Sequence, residues 1–154
     1  MAHKERNMTT IAWDGKILAG DTLAVNGSFC RECVKLHKID MNTFIGVSGY
    51  LEDAYRAVSW LRNPGEDKPE LDADTFAAII VKKGKAFRLE SNLIEMPIKE
   101  SAHAVGSGAD CAMVAMYLGK SAIEAVKIAA IFDINTGSKV TSMPVLSVSN
   151  PEDS

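Results

Sequence analysis

Hydrophobic and polar positions change period along the chain, and the changes mark its elements. Residues 9–13 (TTIAW) and 16–25 (KILAGDTLAV) read as two strands around Asp14-Gly15, a dipeptide that supplies positive φ for a tight hairpin turn. Residues 28–40 (SFCRECVKLHKID) alternate over part of their length, and 44–49 (FIGVSG) form a short apolar run ending in glycine. The period then shifts: Leu51, Ala54, Tyr55, Val58 and Leu61 recur at three- and four-residue spacing, which predicts one face of a helix. Asn63-Pro64-Gly65 ends it, and 64–74 is a polar loop. A second hairpin is expected from 76–82 and 85–90 about Lys83-Gly84, with a short strand at 93–98. Residues 103–108 (HAVGSG) lead into a helix over 108–118 that carries Ala109, Ala112, Met113, Met116 and Tyr117 on one side and stops at Gly119. Ser121 and Glu124 have the capping-box spacing for a further helix to Phe132. That helix is apolar on most faces and is expected to be covered on more than one side. A strand at 139–148 closes the pattern.

Strands, helix, strands, two helices, strand is an order without regular βαβ alternation, so the expected class is α+β with antiparallel sheets. Two helix groups and two or more sheets suit a four-layer αββα sandwich. The 154 residues are long enough to bury a substantial core in one domain, 47% of them are hydrophobic and 24% charged, and the net charge is −3. Charges of both signs are interspersed, so neither nucleic acid nor an anionic membrane is expected as a partner. The opening MAHKERNM lacks the apolar stretch of a signal peptide, no run approaches a membrane span, and three cysteines do not form a secreted disulfide framework. A cytoplasmic location is the expectation.

The candidate chemistry begins at Thr9. A threonine hydroxyl needs an adjacent base to become a nucleophile near neutral pH. A free α-amino group, with a reference pKa of about 7.7 to 8.0, is such a base and sits on the same residue when the threonine is N-terminal. An internal threonine has an amide there and no base. The motifs Thr9-Thr10-Ile11, Ala19-Gly20-Asp21, Val34-Lys35-Leu36, Gly46-Val47-Ser48-Gly49, Gly106-Ser107-Gly108 and Asp133-Ile134-Asn135-Thr136-Gly137 follow one another along about residues 9 to 146. In this order they resemble the proteasome β-subunit and bacterial HslV peptidases, N-terminal nucleophile hydrolases of the threonine type.

Carried over residue by residue, the resemblance makes Thr9 the nucleophile and its released α-amine the general base. It makes Asp21 the buried acid that meets the catalytic lysine, and Lys35 that lysine, whose charge favours the neutral amine. Ser107 matches the serine that hydrogen-bonds near the threonine amine, and Asp133 the acid of the Asp-x-x-Ser/Thr-Gly element. Gly49 matches the glycine whose N–H stabilises the oxyanion, a contribution of roughly 3 kcal/mol to a transition state. The implied reaction is acyl transfer to Thr9 followed by hydrolysis of a peptide or unfolded protein, with no cofactor and no metal. A homo-oligomeric ring and a separate ATPase unfoldase are implied partners, since no phosphate-binding glycine loop is present.

The resemblance divides the chain into an extension or removed propeptide, residues 1–8, and one domain at 9–150. Met8 before Thr9 suggests an internal start with methionine removal, or else autolysis at Met8-Thr9. Two departures bear on substrate. Gly49-Tyr50 replaces the usual Gly-Gly, predicting a narrower or differently shaped channel, and Thr22-Leu23-Ala24-Val25 lacks the frequent Arg and Thr, leaving main-chain docking at a sheet edge. Two other functions compete: a non-catalytic assembly or structural protein with Thr9 blocked, and an amidase acting on small amides. Cys30, Cys33 and His37 have C-x2-C-x3-H spacing, but residues 30 and 33 of an extended strand point to opposite faces, which opposes chelation.

Overall fold

A computed structural model describes residues 6–7, 10–26, 29–133 and 136–144. Thr9, Met8 and His3 lie outside the described residues. The chain opens with β1 (Arg6–Asn7), and the hairpin expected about Asp14-Gly15 is formed by β2 (Ile11–Trp13) and β3 (Ile17–Asp21). Asp14 Oδ1 accepts the N–H groups of Lys16 and Ile17, at 2.9 and 2.8 Å, and Gly15 takes φ +96°. The run expected as one strand over 16–25 breaks after Asp21. β4 (Leu23–Asn26) belongs to the other sheet, where it pairs with β5 (Phe29–Glu32). The break has a cause: both oxygens of Asp21 are engaged by main-chain donors on either side of the bend, Thr10 N at 3.4 Å and Leu23 N at 3.3 Å.

The expected alternating run 28–40 likewise divides, into β5 and β6 (Leu36–Asp40). Between them the Cys33 N–H donates to Thr22 O at 2.8 Å, and Lys35 O accepts from Val47 N at 3.0 Å. β6 turns back into β7 (Thr43–Tyr50), and α1 (Leu51–Arg62) follows directly. β8 (Ala77–Lys82) and β9 (Lys85–Leu89) form the second hairpin, and of the strand expected at 93–98 only β10 (Met96–Pro97) pairs. β11 (His103–Val105), α2 (Ala109–Tyr117), α3 (Ala122–Phe132) and β12 (Val140–Pro144) complete the described chain; 145–148 lie outside it.

Two antiparallel sheets stack face to face. One runs β10-β9-β8-β7-β1-β4-β5 with β6 on β7, and the other runs β11-β2-β3-β12. Ile11, Leu18, Leu36, Ile79, Val81 and Val105 fill the space between them. α1 covers the outer face of the larger sheet through Ala54, Ala57 and Val58 on Ile45, Val47 and Ile80. α2 and α3 cover the smaller sheet through Ala112, Ala115, Ala125 and Val126 on Ala12 and Ala19. The small residues on this side let both helices lie close to the strands. The result is the expected α+β, αββα arrangement.

Three helical faces differ from the periodicity. Tyr55 is mostly exposed, its ring edge against His37 at 6.2 Å, and Ala57 and Asp53 take the inward positions. Asp53 is tolerated inside because its Oδ2 accepts Asp72 N at 2.9 Å. Tyr117 is 89% exposed, with Ala115 buried instead. On α3, Ala122, Ala125, Val126 and Ala129 face the sheet while Ile131 and Phe132 stand outside, so this helix is covered on one side among the described residues. Its N-terminus is capped by Ser121 Oγ on Glu124 N at 3.2 Å, and Asp14 Oδ2 reaches across to Ala122 N at 2.8 Å. The Asp-Gly turn thus also anchors α3, placing a carboxylate at the positive end of the helix.

Candidate active site

Asp21 and Lys35 meet at the sheet switch, both fully buried, with Lys35 Nζ donating to Asp21 Oδ1 at 3.0 Å. Lys35 is fixed there because main-chain bonds hold residues 33–35 between β5 and β6. Asp21 accepts four donors. Lys35 Nζ and Thr10 N share Oδ1, while Leu23 N and Gly137 N, the latter at 2.6 Å, share Oδ2. This satisfies a carboxylate removed from water. Burial nevertheless raises the Asp21 pKa above its ordinary value, opposed by the Lys35 charge and the donated N–H bonds. Burial lowers that of Lys35, opposed chiefly by Asp21 and more weakly by Cys33 and Asp133. Each member of the pair thus favours the charged form of the other, against the burial that favours the neutral forms.

A second group surrounds Asp133, the C-cap of α3. Ser107 Oγ donates to its Oδ2 at 2.5 Å and Thr136 Oγ1 to the same oxygen at 2.6 Å. Thr136 Oγ1 also lies 2.9 Å from Thr10 Oγ1. A hydroxyl carries one proton, so with Thr136 donating to Asp133, Thr10 must donate to Thr136. The relay runs Thr10 to Thr136 to Asp133. Thr136-Gly137 thus joins both acids, the hydroxyl of one residue serving Asp133 and the N–H of the next serving Asp21.

The structure brings Asp21 to Lys35 and Ser107 to Asp133, and links the two pairs through Thr10, Thr136 and Gly137. Gly49 closes the strand edge at φ +128°, opposite Asn7 of β1. A side chain there would be strained by the φ value and tightly packed, its Cβ 3.1 Å from Thr75 O and 3.2 Å from Phe76 Cα. The chain on either side of the undescribed residues 8–9 is placed, with Asn7 opposite Gly49 and Thr10 bonded to Asp21 and Thr136.

Thr10, Thr136 and Gly108 are the residues that the sequence pattern undervalued. Thr10 reads as strand propensity beside Thr9, yet it is completely buried and ties both acids together. Gly108 reads as a helix entrance, yet a Cβ there would lie 2.0 Å from Thr10 Oγ1. The spacing of Thr136-Gly137 from Asp133 was the available signal. The Cys30 side chain of the Cys-x2-Cys-x3-His spacing lies outside the description, and among the described residues no group of three or more His, Cys, Asp or Glu side chains could hold a metal ion. His37 instead lies against Tyr55, its pKa lowered by burial and by Arg62. No described helix is long and apolar enough to cross a membrane.

No protein-family model matches the chain, and neither does the sequence of any curated protein. Solved structures do match. Eukaryotic HslV from Trypanosoma brucei superposes with a TM-score of 0.66 at 16% identity, over 87% of this chain and 97% of that one. Thiobacillus denitrificans BPH in complex with epoxomicin matches with a TM-score of 0.62 at 18% identity, over 89% and 98%. The same BPH in a second structure gives 0.61 at 18%, over 89% and 97%. At these identities the likeness is one of fold, and the fold is that of the HslV and proteasome-type threonine peptidases.

Proposed function

We propose that the chain is a threonine-type peptidase whose nucleophile is Thr9 once its α-amine is free. The observation that carries this is the buried Asp21–Lys35 pair, whose carboxylate also accepts the N–H of Thr10, the residue bonded to Thr9. A fully buried lysine is costly for a structural role that an apolar residue could fill. A fixed positive charge beside an N-terminal threonine has a chemical use, since it disfavours the protonated amine. The amine takes the Thr9 hydroxyl proton as the oxygen adds to the substrate carbonyl, and the Gly49 N–H receives the oxyanion. Collapse breaks the C–N bond, the amine product leaves with the proton, and water then hydrolyses the Thr9 ester. Ser107 and Asp133 hold the amine side of the site through the Thr136–Thr10 relay. Extended peptide or unfolded protein is the substrate of this reading, with no cofactor.

A homo-oligomer, in the ring form of the resemblance, belongs to this reading. Val114, Leu118, Ile131 and Phe132 support it, because each is 60% or more exposed on α2, its C-cap and α3. An ATPase unfoldase would be a separate chain, and epoxomicin, bound to BPH, is a candidate inhibitor. The test is hydrolysis of fluorogenic peptides by protein whose intact mass shows Thr9 at the N-terminus. Turnover is expected, with loss of at least about a thousandfold in Thr9→Ala. Unchanged hydrolysis in Thr9→Ala would remove the nucleophile. Turnover of small amides but not peptides would instead make it an amidase.

A further inference from the structure

Arg88 brings a charge to the inner face of the larger sheet. It lies two residues beyond Ala86 on β9, and Ala86 packs in the layer between the sheets. Its partner comes from the other sheet. Arg88 Nη1 is 3.1 Å from Nε2 of His103, which opens β11 two positions before Val105 and shares the inner face with it. A guanidinium only donates, so Nε2 is unprotonated and the ring proton of His103 sits on Nδ1. That Nδ1 is buried and has no hydrogen-bond partner among the described residues. The closed contact thus forfeits one donor to water and rests on a single bond between the sheets. A second proton can go only to Nε2, where it replaces that bond by two donors of like charge facing each other.

β11 is three residues long and ends its sheet, paired with β2 alone. Its carboxyl end runs through Gly106 to Ser107, whose Oγ donates to Asp133. We propose that the Arg88–His103 contact is a proton-released latch between the two sheets: it holds β11, and with it Ser107, in place while His103 is neutral, and frees them when His103 is charged. The consequence for catalysis deepens the peptidase reading and rests on it, whereas the latch itself does not. The charges around His103 are few. Glu90 Oε1 lies 3.5 Å from Arg88 Nε, and Glu100 precedes β11 in the chain. On β2 the register partner is Trp13, and the carboxylate of Asp14 beyond it is taken up by the N–H groups of Lys16, Ile17 and Ala122. Lys82, the only charged residue of β8, pairs with Glu95, and Lys85 lies on the other face of β9 from Arg88. α2, with Asp110 and Cys111, packs on the opposite face of β11 through Ala104. Burial first and Arg88 second lower the His103 pKa below its ordinary 6.5, with Glu100 opposing. The unfolded chain therefore takes up this proton before the folded one, so the latch is complete above 6.5 and is lost as pH falls toward the folded pKa.

Amide hydrogen exchange over residues 103–107 of the full chain, normalised to the intrinsic rate, tests this at pH about 7.5 and about 5, either side of the ordinary histidine value. An NMR titration of the His103 ring accompanies it. Protection in the unsubstituted chain is expected to fall about tenfold or more on acidification, the worth of one hydrogen bond from a charged donor. The His103 ring is expected to titrate below 6.5. His103→Gln supplies an acceptor that takes up no proton, and should keep its protection at both pH values. Arg88→Leu removes the donor, so protection should be low at both, and the His103 ring should titrate at a higher pH than in the unsubstituted chain. An equal acid loss in the unsubstituted chain and His103→Gln overturns the proposal. So does a His103 ring that titrates at or above 6.5 in the unsubstituted chain, a result that needs no variant. Neither readout involves hydrolysis, so the nucleophile assignment stands or falls separately in the Thr9→Ala assay.

Discussion

Lys35→Met keeps much of the side-chain volume and removes the charge, leaving Asp21 buried with three main-chain donors: Thr10 N, Leu23 N and Gly137 N. Breaking a buried ion pair from one side costs about 3 to 5 kcal/mol when the remaining charge cannot escape. Asp21 does have an escape, protonation. Burial already raises its pKa, and removing the Lys35 charge, the largest opposing influence, raises it further. The folded variant then holds a proton that the unfolded chain releases above about pH 3.9. Stability of Lys35→Met must therefore fall as pH rises toward the folded pKa, by at most about 1.4 kcal/mol per pH unit. Asp21→Asn has the opposite sign. It strands Lys35, whose pKa burial lowers. The folded variant holds fewer protons than the unfolded one, and its deficit grows as pH falls. Urea denaturation of both variants and the double variant at pH 5, 7 and 9 measures this, and the double variant should recover part of the loss. Deficits below about 1 kcal/mol that do not change with pH would refute the buried, mutually charged pair.

Gly108→Ala should destabilise the protein by about 1 to 3 kcal/mol, and by less in a Thr10→Ala background, because the new Cβ meets Thr10 Oγ1 at 2.0 Å. Thermal melts of the two single variants and the double variant measure the coupling. Asp14→Ala removes two turn bonds and the Ala122 N–H acceptor, with an expected loss of about 1 to 2 kcal/mol, checked by denaturant titration. Peptide hydrolysis by the Thr9-initiated chain should rise with pH as the amine deprotonates, at or below about 7.7 to 8.0. It should fall again below the ordinary lysine value of 10.5 as Lys35 loses its charge, a profile read from kcat/KM.

Both hairpins were legible because Asp14-Gly15 and Lys83-Gly84 state their own turn chemistry, and so was the layer order, because strand and helix periods alternate in blocks. The change of sheet at Thr22 was not. Alternation continues through Leu23 and Val25, and only the demand of Asp21 for N–H donors from both sides bends the chain there. Tyr55 and Tyr117 satisfy a helical period yet face outward, since periodicity registers an aromatic ring without knowing that alanines let the helix sit closer. Asp21, Lys35, Ser107 and Asp133 were singled out by their motifs, and the structure pairs Lys35 with Asp21 and Ser107 with Asp133. The tie between the two pairs was not legible, because it runs through Thr10 and Thr136, separated by 126 residues. β1 lies within the segment read as an extension or removed propeptide; two polar residues carry no strand signal, and β1 is defined by its main-chain pairing with β4 and β7.

The proposed peptidase requires the free amine of Thr9, and a single added residue isolates that requirement. Two chains are compared, one beginning at Thr9 and one retaining only Met8 before it, so that β1 is absent from both. Peptide hydrolysis by the first and a fall of at least about a thousandfold in the second is the expected result, since an amide nitrogen cannot accept the hydroxyl proton. Equal rates from the two chains would contradict it.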